Sequence, residues 1–254
     1  MTVAGEPPPF GCAEILAAVR RAERVLDAGC GSGRLTLLLA QAGAEVTGFD
    51  TSSERLEQAR ARAAGLGMSP RLLEVDFNAA LPFADATFDA VTSRLALMAA
   101  SDPVATLREL RRVLEPNGRL VTVVWASPAE NPWFSVPREA IGAVLGEGPA
   151  AFARAFGRLG DPDEAAAVHR EAGLREVEAY RLHEQTIVPS AAEHWARLAR
   201  ENGHFRRVAA GLSDAERAEL VAELEGRLAR YRDRDHLSLP RTLVFVVARS
   251  SLDD

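Results

Sequence analysis

The chain has 254 residues, 47% hydrophobic and 26% charged, so it is long enough for one substantial core and has the composition of an ordinary soluble globular protein. Its formal net charge of -6 argues against a nucleic-acid or anionic-membrane partner, which needs a clustered basic surface, and we expect a small-molecule partner instead. All 30 basic residues are arginine, which excludes Schiff-base and general-base chemistry by lysine.

Nothing in the sequence favours export or membrane insertion. The opening "MTVAGEPPPFG" has neither the basic start nor the apolar run of a signal peptide, and no apolar stretch approaches the roughly 18 residues of a membrane span. Cys12 and Cys30 are too few for a disulfide framework or a metal cluster, which suits a reducing compartment. We therefore expect a cytoplasmic protein, and the sequence leaves a monomer and a homodimer open.

The first half of the chain alternates strands with helices. A helix, "CAEILAAVRRAE", comes first. The strand candidates that follow are "RVLDAG", "AEVTGFD", "PRLLEVDF", "FDAVTSRLAL" and "RLVTVVWA", and the helices between them are "RLTLLLAQAG", "SSERLEQARARAAGLG" and "DPVATLRELRRVL". Such alternation predicts right-handed crossovers and a mostly parallel sheet as far as Ala126.

The pattern changes after Ala126. Residues 127–160 suggest irregular structure with one or two short helices, including "NPWFSVPREAIGAVLG" and "FARAFGRLG". A helix "DPDEAAAVHREAG" and a long strand "LREVEAYRLHEQTIV" follow. The chain then gives two serine-capped helices, "SAAEHWARLARENG" and "SDAERAELVAELEGRLARYR", and a closing strand "TLVFVVAR". The two late strands would complete a seven-stranded sheet.

Three glycines stand between the first strand and the first helix, at Gly29, Gly31 and Gly33. Glycine lets a backbone approach a ligand closely, although a tight turn without a ligand explains the same pattern. A dinucleotide fingerprint requires G-x-G-x-x-G, and its third glycine would fall on Arg34. Asp27, just before the loop, would repel a pyrophosphate and attract an ammonium group. The loop therefore favours a positively charged zwitterionic ligand over a dinucleotide.

Two later strands end on acidic side chains. Asp50 ends the second strand, where a carboxylate can accept hydrogen bonds from both hydroxyls of a ribose. Asp76 and Phe77 end the third, where they suit the amino group and the face of an adenine. As alternatives, Asp50 is a cap for the following helix, a role that Ser52 already fills, and Asp76 is a cap for its own loop.

Four stretches in this order resemble the class I S-adenosylmethionine-dependent methyltransferases: "VLDAGCGSGRLTLLLA", "VTGFDTSSERLEQARARA", "VDFNAALPFADATFDAVTSRLALM" and "DPVATLRELRRVLEPNGRLVTVVW". The resemblance covers about residues 24 to 126. It is closest to the branch that includes the ubiquinone/menaquinone-type enzymes and many small-molecule methyltransferases of secondary metabolism.

The resemblance implies an α/β, Rossmann-like sheet of seven mostly parallel strands with an antiparallel last strand, helices on both faces and helical lid insertions. It implies S-adenosylmethionine as cofactor and S-adenosylhomocysteine as product. Cys30 is interpreted as a space-filling residue in the loop. The residues expected around the cofactor are Asp27, Gly29, Cys30, Gly31, Gly33, Asp50, Thr51, Asp76, Phe77, Ser93 and Arg94.

A single methyltransferase domain is expected over residues 1–254. It would consist of an N-terminal helical segment, 1–23, and a cofactor-binding core, 24–126. Helical insertions at 127–160 and 190–235 would form the lid that selects the acceptor. The remaining helix and strands of the sheet would lie in 161–189 and 236–249.

The expected reaction is transfer of the methyl group, by in-line displacement, to an oxygen, nitrogen or carbon atom of a small-molecule acceptor, and the protein need not supply a nucleophile. The alternatives are a non-methylating reaction on the same cofactor-binding scaffold, such as a cyclisation, and a non-catalytic partner subunit. A nicotinamide dehydrogenase is disfavoured by Arg34.

No residue is fixed as catalytic, because methyl transfer needs a base only when the acceptor must lose a proton. The candidates for that base are His183, His194 and His204, while His169 is expected to be an exposed or partly buried structural residue. The five histidines follow no metal-binding spacing, so no metal is expected. Apolar candidates for the acceptor pocket are Leu97, Met98, Trp125 and Trp133.

Overall fold

The computed structural model describes residues 7–146 and 157–250, and most of the helix expected in "FARAFGRLG" lies outside these described residues. The chain divides into two compact units, each taken over its described residues. The core unit comprises Met1–Trp125, Arg158–Leu182 and Leu243–Asp254. The helical unit comprises Ala126–Gly157 and His183–Thr242.

The described helices and strands in chain order are α1 (Cys12–Val19), β1 (Arg24–Ala28), α2 (Arg34–Gln41), β2 (Glu45–Asp50), α3 (Ser53–Gly65), β3 (Arg71–Glu74), β4 (Phe88–Arg94), α4 (Pro103–Arg112), β5 (Leu114–Trp125), α5 (Pro132–Leu145), α6 (Pro162–Glu171), β6 (Arg175–Val188), α7 (Ala191–Glu201), α8 (Gly203–Gly211), α9 (Asp214–Leu228), β7 (Arg232–Asp233) and β8 (His236–Arg249). Short 3₁₀ turns lie at Leu97–Ala99, Pro128–Glu130 and Ala229–Tyr231.

The strands form one sheet in the order β3-β2-β1-β4-β5-β8-β6. Four neighbouring pairs are parallel, namely β2 with β3, β1 with β2, β1 with β4 and β4 with β5. β8 runs antiparallel to β5, from Trp125 opposite Leu243 to Arg119 opposite Arg249. This confirms the Rossmann-like sheet with an antiparallel last strand. The two-residue β7, which pairs with β8, is an addition that the sequence did not predict.

The order of strands places a topological switch at β1. From β1 the chain moves outward to β2 and β3 on one side, and later to β4 and β5 on the other. Ligands of open parallel sheets bind beyond the carboxyl ends of the strands at such a switch. The buried apolar residues of β1, β2 and β4, among them Leu26, Phe49 and Val91, anchor these ends in the core.

Helix starts follow the capping residues that the sequence offers. The hydroxyl of Ser52 accepts from the backbone amide of Arg55 at the start of α3, and the Asp102 carboxylate accepts from Ala105 at the start of α4. In the helical unit, Ser213 and Glu216 form a reciprocal capping box for α9. These caps set the first residue of each helix and leave the apolar faces for packing.

Several expected elements differ in length. β3 ends at Glu74 and β4 at Arg94, so both are shorter than expected, and β8 starts earlier, at His236. In the helical unit, α5 is one 14-residue helix that continues through Pro137, where irregular structure with short helices was expected. α8 was not predicted. Its start is capped by the Asn202 side chain, which accepts from the amide of His204 at 2.9 Å.

Candidate functional site

The glycine loop joins β1 to α2 at the switch point of the sheet. Gly29, Gly31 and Gly33 have φ angles of 75°, 55° and 78°, a region that side chains disfavour. The amides of Gly29 and Cys30 both donate to the carbonyl oxygen of Phe49, at 2.9 and 2.8 Å. These two bonds fasten the loop to the end of β2.

The three glycines differ in what surrounds them. A Cβ atom on Gly29 would lie 2.3 Å from the Cβ of Ala96, and one on Gly33 would lie 2.8 Å from the Cβ of Ala59. On Gly31 the nearest of these atoms is an oxygen of Asp50 at 4.0 Å. Close packing within the protein therefore requires glycine at positions 29 and 33, whereas Gly31 leaves space beside a carboxylate.

Asp50, the last residue of β2, is hydrogen-bonded to the glycine loop. The side chain is buried, with 8% of the residue exposed. Its Oδ2 accepts from the amide of Gly31 at 2.9 Å, and its Oδ1 accepts from the amide of Ser52 at 3.0 Å. A carboxylate offers about four lone-pair sites, so these two bonds leave acceptor capacity for hydroxyl groups. Ser52, as expected, is the cap of α3.

Asp27 lies at the other side of the loop and is almost completely buried. Its Oδ2 accepts from the Thr36 hydroxyl at 2.6 Å, and its Oδ1 accepts from the Thr92 hydroxyl at 3.2 Å. Burial raises the pKa of Asp27 to about 6, while the two hydroxyls and the charge of Arg94 act in the opposite direction. The carboxylate thereby joins β1, α2 and β4 beneath the loop.

Asp76 and Phe77 lie just beyond the end of β3 and have separate surroundings. Asp76 is exposed, and its Oδ1 accepts from the amide and the side-chain nitrogen of Asn78, at 2.9 and 3.2 Å. It therefore caps its own loop, which was the alternative interpretation. Phe77 approaches the glycine loop, where its ring lies 3.8 Å from a Cβ built on Gly29 and 5.8 Å from the Phe49 ring.

The residues at the end of β4 are enclosed. Ser93 is fully buried, and its hydroxyl has no hydrogen-bond partner among the described residues. The Nε of Arg94 donates to the carbonyl of Phe10 at 3.1 Å, and burial lowers the pKa of Arg94.

Cys30 is buried against Gly48, and desolvation raises its thiol pKa, which agrees with a space-filling role. Thr51 is exposed, directly after β2.

The apolar candidates for the acceptor pocket are distributed over both units. Leu97 and Met98 are buried in the 3₁₀ turn after β4, and Trp125 ends β5 with 7% of its surface exposed. Trp133 is in the first turn of α5, in the helical unit. Its indole nitrogen donates to the Asn131 side chain at 3.2 Å. Their contact with an acceptor stays a prediction.

The three candidate bases all belong to the helical unit. His183 is exposed, with its Nδ1 3.1 Å from the hydroxyl of Thr242. His194 is buried, its Nε2 lies 2.6 Å from the carbonyl oxygen of Trp133, and desolvation lowers its pKa to about 4. The ring of His204 packs edge-on against Phe205 at 5.4 Å. His194 is thus held neutral by burial and bonded to the backbone.

His169, expected to be an exposed or partly buried structural residue, is fully buried. It is 1% exposed and bridges α6 to β5 in the core unit. Its Nδ1 lies 2.7 Å from the carbonyl of Ala165, and its Nε2 lies 2.9 Å from the hydroxyl of Thr122. Since a carbonyl only accepts, Nδ1 carries the hydrogen and Nε2 accepts from the hydroxyl. Burial lowers the pKa of His169 to about 4.

Sequence reasoning missed the residues that support the site. Thr36 and Thr92 hold Asp27, and Ala59 and Ala96 provide the close contacts of the glycine loop. Thr36 left a signal, because it interrupts the apolar run in "RLTLLLA", whereas Thr92 stands among other polar residues in "DAVTSR" and left none. The alanines left none, because an alanine in a helix or after a strand is ordinary.

Within residues 7–146 and 157–250, no group of three or more histidine, cysteine, aspartate or glutamate side chains could hold a metal ion. Over the same ranges, no helix has the length and apolar character required to cross a membrane.

Part of the core unit matches a known protein family. Residues 26–122 match the family model described as a methyltransferase domain. Over 132 residues the chain is 39% identical to a demethylmenaquinone methyltransferase from Thermus thermophilus. The aligned residues cover 51% of this chain and 60% of that protein. The chain spans only about 40% to 60% of the length of the curated relatives it matches.

Solved structures share the fold over nearly the whole chain. A Haemonchus contortus phosphoethanolamine N-methyltransferase 2, in complex with phosphomonomethylethanolamine and S-adenosylhomocysteine, has a TM-score of 0.60 at 19% identity, covering 96% of this chain and 53% of that one. The [4+2]-cyclase SpnF has a TM-score of 0.58 at 22% identity, covering 95% and 80%. At these identities the likeness concerns the fold alone.

The resemblance inferred from the sequence is thereby confirmed. The matched segment includes β1, the glycine loop, Asp50 and β4, the parts that the geometry brings together. Residues 26–122 match a methyltransferase domain, which supports the resemblance of this segment to the class I S-adenosylmethionine-dependent methyltransferases.

Proposed function

We propose that the chain transfers the methyl group of S-adenosylmethionine to an oxygen, nitrogen or carbon atom of a small-molecule acceptor. The observation that carries this proposal is the bond between the Gly31 amide and the buried Asp50 carboxylate, inside the matched methyltransferase segment. The formal net charge of -6 and the similarity to a demethylmenaquinone methyltransferase support a small organic acceptor rather than a nucleic acid.

The residues at the loop fit this cofactor. Gly31 leaves space next to the Asp50 carboxylate, so a ribose hydroxyl has both room and an acceptor there. Asp27, whose two oxygens already accept hydroxyls, contributes negative charge beneath a cationic ligand and holds the loop in shape.

When bound, S-adenosylmethionine supplies a methyl group on a sulfonium that leaves as a neutral thioether. The protein aligns the acceptor with that group, and such positioning contributes roughly 7–11 kcal/mol to lowering the barrier. Asp50 and the space beside Gly31 fix the cofactor end of this arrangement. Phe77, which packs toward Gly29, shields it from water with an apolar ring.

A protein base is needed only for an acceptor that must lose a proton. His194 is buried and neutral above about pH 4, and its Nε2 is bonded to the Trp133 carbonyl. That leaves its Nδ1 lone pair, which has no partner among the described residues. His183, which is exposed, and His204 stay candidates beside it. We expect an acid–base role for any of the three to appear as a pH-dependent kcat that the glutamine variant abolishes.

Two measurements test the proposal. Isothermal titration calorimetry with S-adenosylhomocysteine should show one saturable site, and an acceptor screen with methyl-labelled S-adenosylmethionine should yield a labelled small molecule whose fragmentation identifies the methylated atom. Absence of cofactor binding by the intact chain, or binding of NADH in its place, contradicts the proposal.

The alternative of a non-methylating reaction is distinguished by the same screen. A chain that binds S-adenosylmethionine, converts an acceptor and leaves the methyl group on sulfur would follow that alternative. The fold shared with SpnF is compatible with it but shows the fold alone. A chain that binds the cofactor and converts no acceptor would be a partner subunit.

A further inference from the structure

A pocket lies in the core unit, at the end of the sheet where β4 and β5 begin and β8 ends. It has a volume of about 300 Å³. The glycine loop and Asp50 lie at the carboxyl ends of β1 and β2. These are at the opposite end of the parallel strands from the pocket. The pocket, here called the arginine pocket, is lined by Ala18, Val19, Arg20, Arg21, Ala22, Asp89, Ala90, Asn117, Arg119 and Arg249.

The lining is strongly positive. It contains four arginines and one carboxylate, which gives a net charge of +3 in a chain whose formal charge is -6. The carboxylate, Asp89, is already engaged. It accepts from the backbone amides of Glu23 and Arg24, each at 2.8 Å, and from the guanidinium of Arg24 at 3.0 Å. The arginine pocket therefore draws little compensation from its own acidic residue.

Two of its arginines lie opposite each other on neighbouring strands. Arg119 of β5 and Arg249 of β8 are direct partners in the antiparallel ladder, a position where like charges destabilise a sheet. Each is held in place by backbone: Arg119 donates to the carbonyl of Ala18, and Arg249 donates to that of Asn117 at 3.0 Å. Arg249 also pairs with the exposed Glu176 at 2.9 Å.

The charges of Arg249 and Arg20 both act on Arg119. Burial first, and then the charges of Arg249 and Arg20, lower its pKa, while Glu176 and Glu178 act in the opposite direction. A local conflict that a sequence maintains without a structural gain is expected at a functional site. A bound anion would relieve this repulsion.

We propose that the arginine pocket binds a phosphate-type oxyanion, either inorganic phosphate or the phosphate group of a small metabolite. Guanidinium groups match the geometry of phosphate oxygens with paired hydrogen bonds, and arginine is favoured over lysine for that reason. Arg20 and Arg21 are exposed at the end of α1, so their side chains can adjust to an anion placed between Arg119 and Arg249.

The test is calorimetric titration of the full chain at constant ionic strength, in chloride buffer, with inorganic phosphate and separately with glycerol 3-phosphate. We expect one saturable site for phosphate. Equal affinity for the two compounds indicates that the phosphate group alone is recognised, and tighter binding of the ester indicates a phosphorylated metabolite. Arg119→Gln, and independently the exposed Arg20→Gln, should weaken binding about tenfold.

Arg55→Gln is the matched control, because it removes the same charge from the exposed surface of α3, outside the arginine pocket. Its phosphate affinity should equal that of the unmodified chain. Three results overturn the proposal: no saturable phosphate binding, equal weakening by Arg55→Gln, or displacement of phosphate by S-adenosylhomocysteine, which would place the anion at the glycine loop. S-adenosylhomocysteine binding that persists in all variants leaves the proposed methyltransferase function intact.

Discussion

The Nε2 atom of His194 lies 2.6 Å from the carbonyl oxygen of Trp133, four residues before Pro137 in α5. In an α-helix the carbonyl of residue 133 accepts from the amide of residue 137, and proline has no amide hydrogen to donate. His194 therefore satisfies the carbonyl that Pro137 leaves without its helical partner. This relationship explains how α5 continues through an internal proline.

A double-mutant cycle tests this coupling. His194→Leu should lower the free energy of unfolding by about 1–3 kcal/mol, because the Trp133 carbonyl loses its buried donor. In a Pro137→Ala background the restored amide should make the same change cost less. Urea unfolding of the four chains measures the interaction energy. Equal costs in both backgrounds would show that the two residues act independently.

The glycine loop predicts a ranking of substitutions. Gly29→Ala should lower the free energy of unfolding by about 3 kcal/mol, because the strain of a positive φ adds to overlap with Ala96. Gly31→Ala meets no close atom and should cost about 1–2 kcal/mol from strain alone. Its larger effect should be on affinity for S-adenosylhomocysteine.

Ala96→Gly provides the matched test for Gly29→Ala. Removing the Ala96 methyl should recover part of the lost stability, and it should do nothing for Gly31→Ala. Thermal unfolding with and without S-adenosylhomocysteine separates stability from binding. A Gly31→Ala variant that binds normally would show that the open side of Gly31 does not face the cofactor.

Asp50 serves both the fold and the proposed site. Asp50→Ala should weaken binding of S-adenosylhomocysteine by about 2–4 kcal/mol through loss of charge-assisted hydrogen bonds. The sequence alone predicts that folding stays nearly intact. The bonds to the Gly31 and Ser52 amides change that expectation, and we now expect a stability cost of about 1–3 kcal/mol as well.

Asp50→Asn separates the two effects, since it keeps an acceptor oxygen and removes the charge. It should fold better than Asp50→Ala and still bind more weakly than the unmodified chain. Glu54→Gln, an exposed charge change on α3, controls for net charge. Calorimetry that gives unchanged affinity for both Asp50 variants would remove Asp50 from the site.

His169 makes stability depend on pH in a defined direction. Its folded pKa of about 4 lies below the ordinary value of 6.5, so the unfolded chain binds the proton more tightly. The stabilisation from the neutral ring is present above about pH 6.5 and is lost as the pH falls towards 4, by about 3 kcal/mol in all.

Comparison with His169→Gln isolates this contribution from other titrating groups, including Asp27, whose raised pKa of about 6 makes stability fall as the pH rises from 4 to 6. The gap in unfolding free energy between the two chains should be largest at pH 7 and should shrink by about 3 kcal/mol at pH 4. A gap that does not change with pH would contradict the buried neutral state of His169.

The sequence predicted the alternating core well because each signal there is local. The strand and helix of the glycine loop, the Ser52 cap and the Asp102–Pro103 helix start are set within a few residues. The role of all three glycines beside the cofactor stays a prediction, and the structure adds that positions 29 and 33 also pack against Ala96 and Ala59. Those contacts lie far away in sequence and carry no local pattern.

The helical unit was harder to predict for the same physical reason. Two prolines in "NPWFSVP" indicate a break, whereas the distant His194 bonds to the Trp133 carbonyl that Pro137 leaves without its helical partner. Asn131 is a second case. It is fully buried, and its side chain bonds to the backbone of Ala126, Ser127 and Thr242, although the sequence gives it no sign of importance.

The contact between Gly29 and Ala96 constrains engineering of the chain. Ala96 immediately precedes Leu97 and Met98, the segment expected to shape the acceptor pocket. Its methyl group packs against Gly29 in the glycine loop. We therefore expect redesign of that segment for a bulkier or smaller acceptor to shift the affinity for cofactor as well. Libraries built there should vary position 96 last, and should be screened for cofactor retention before turnover.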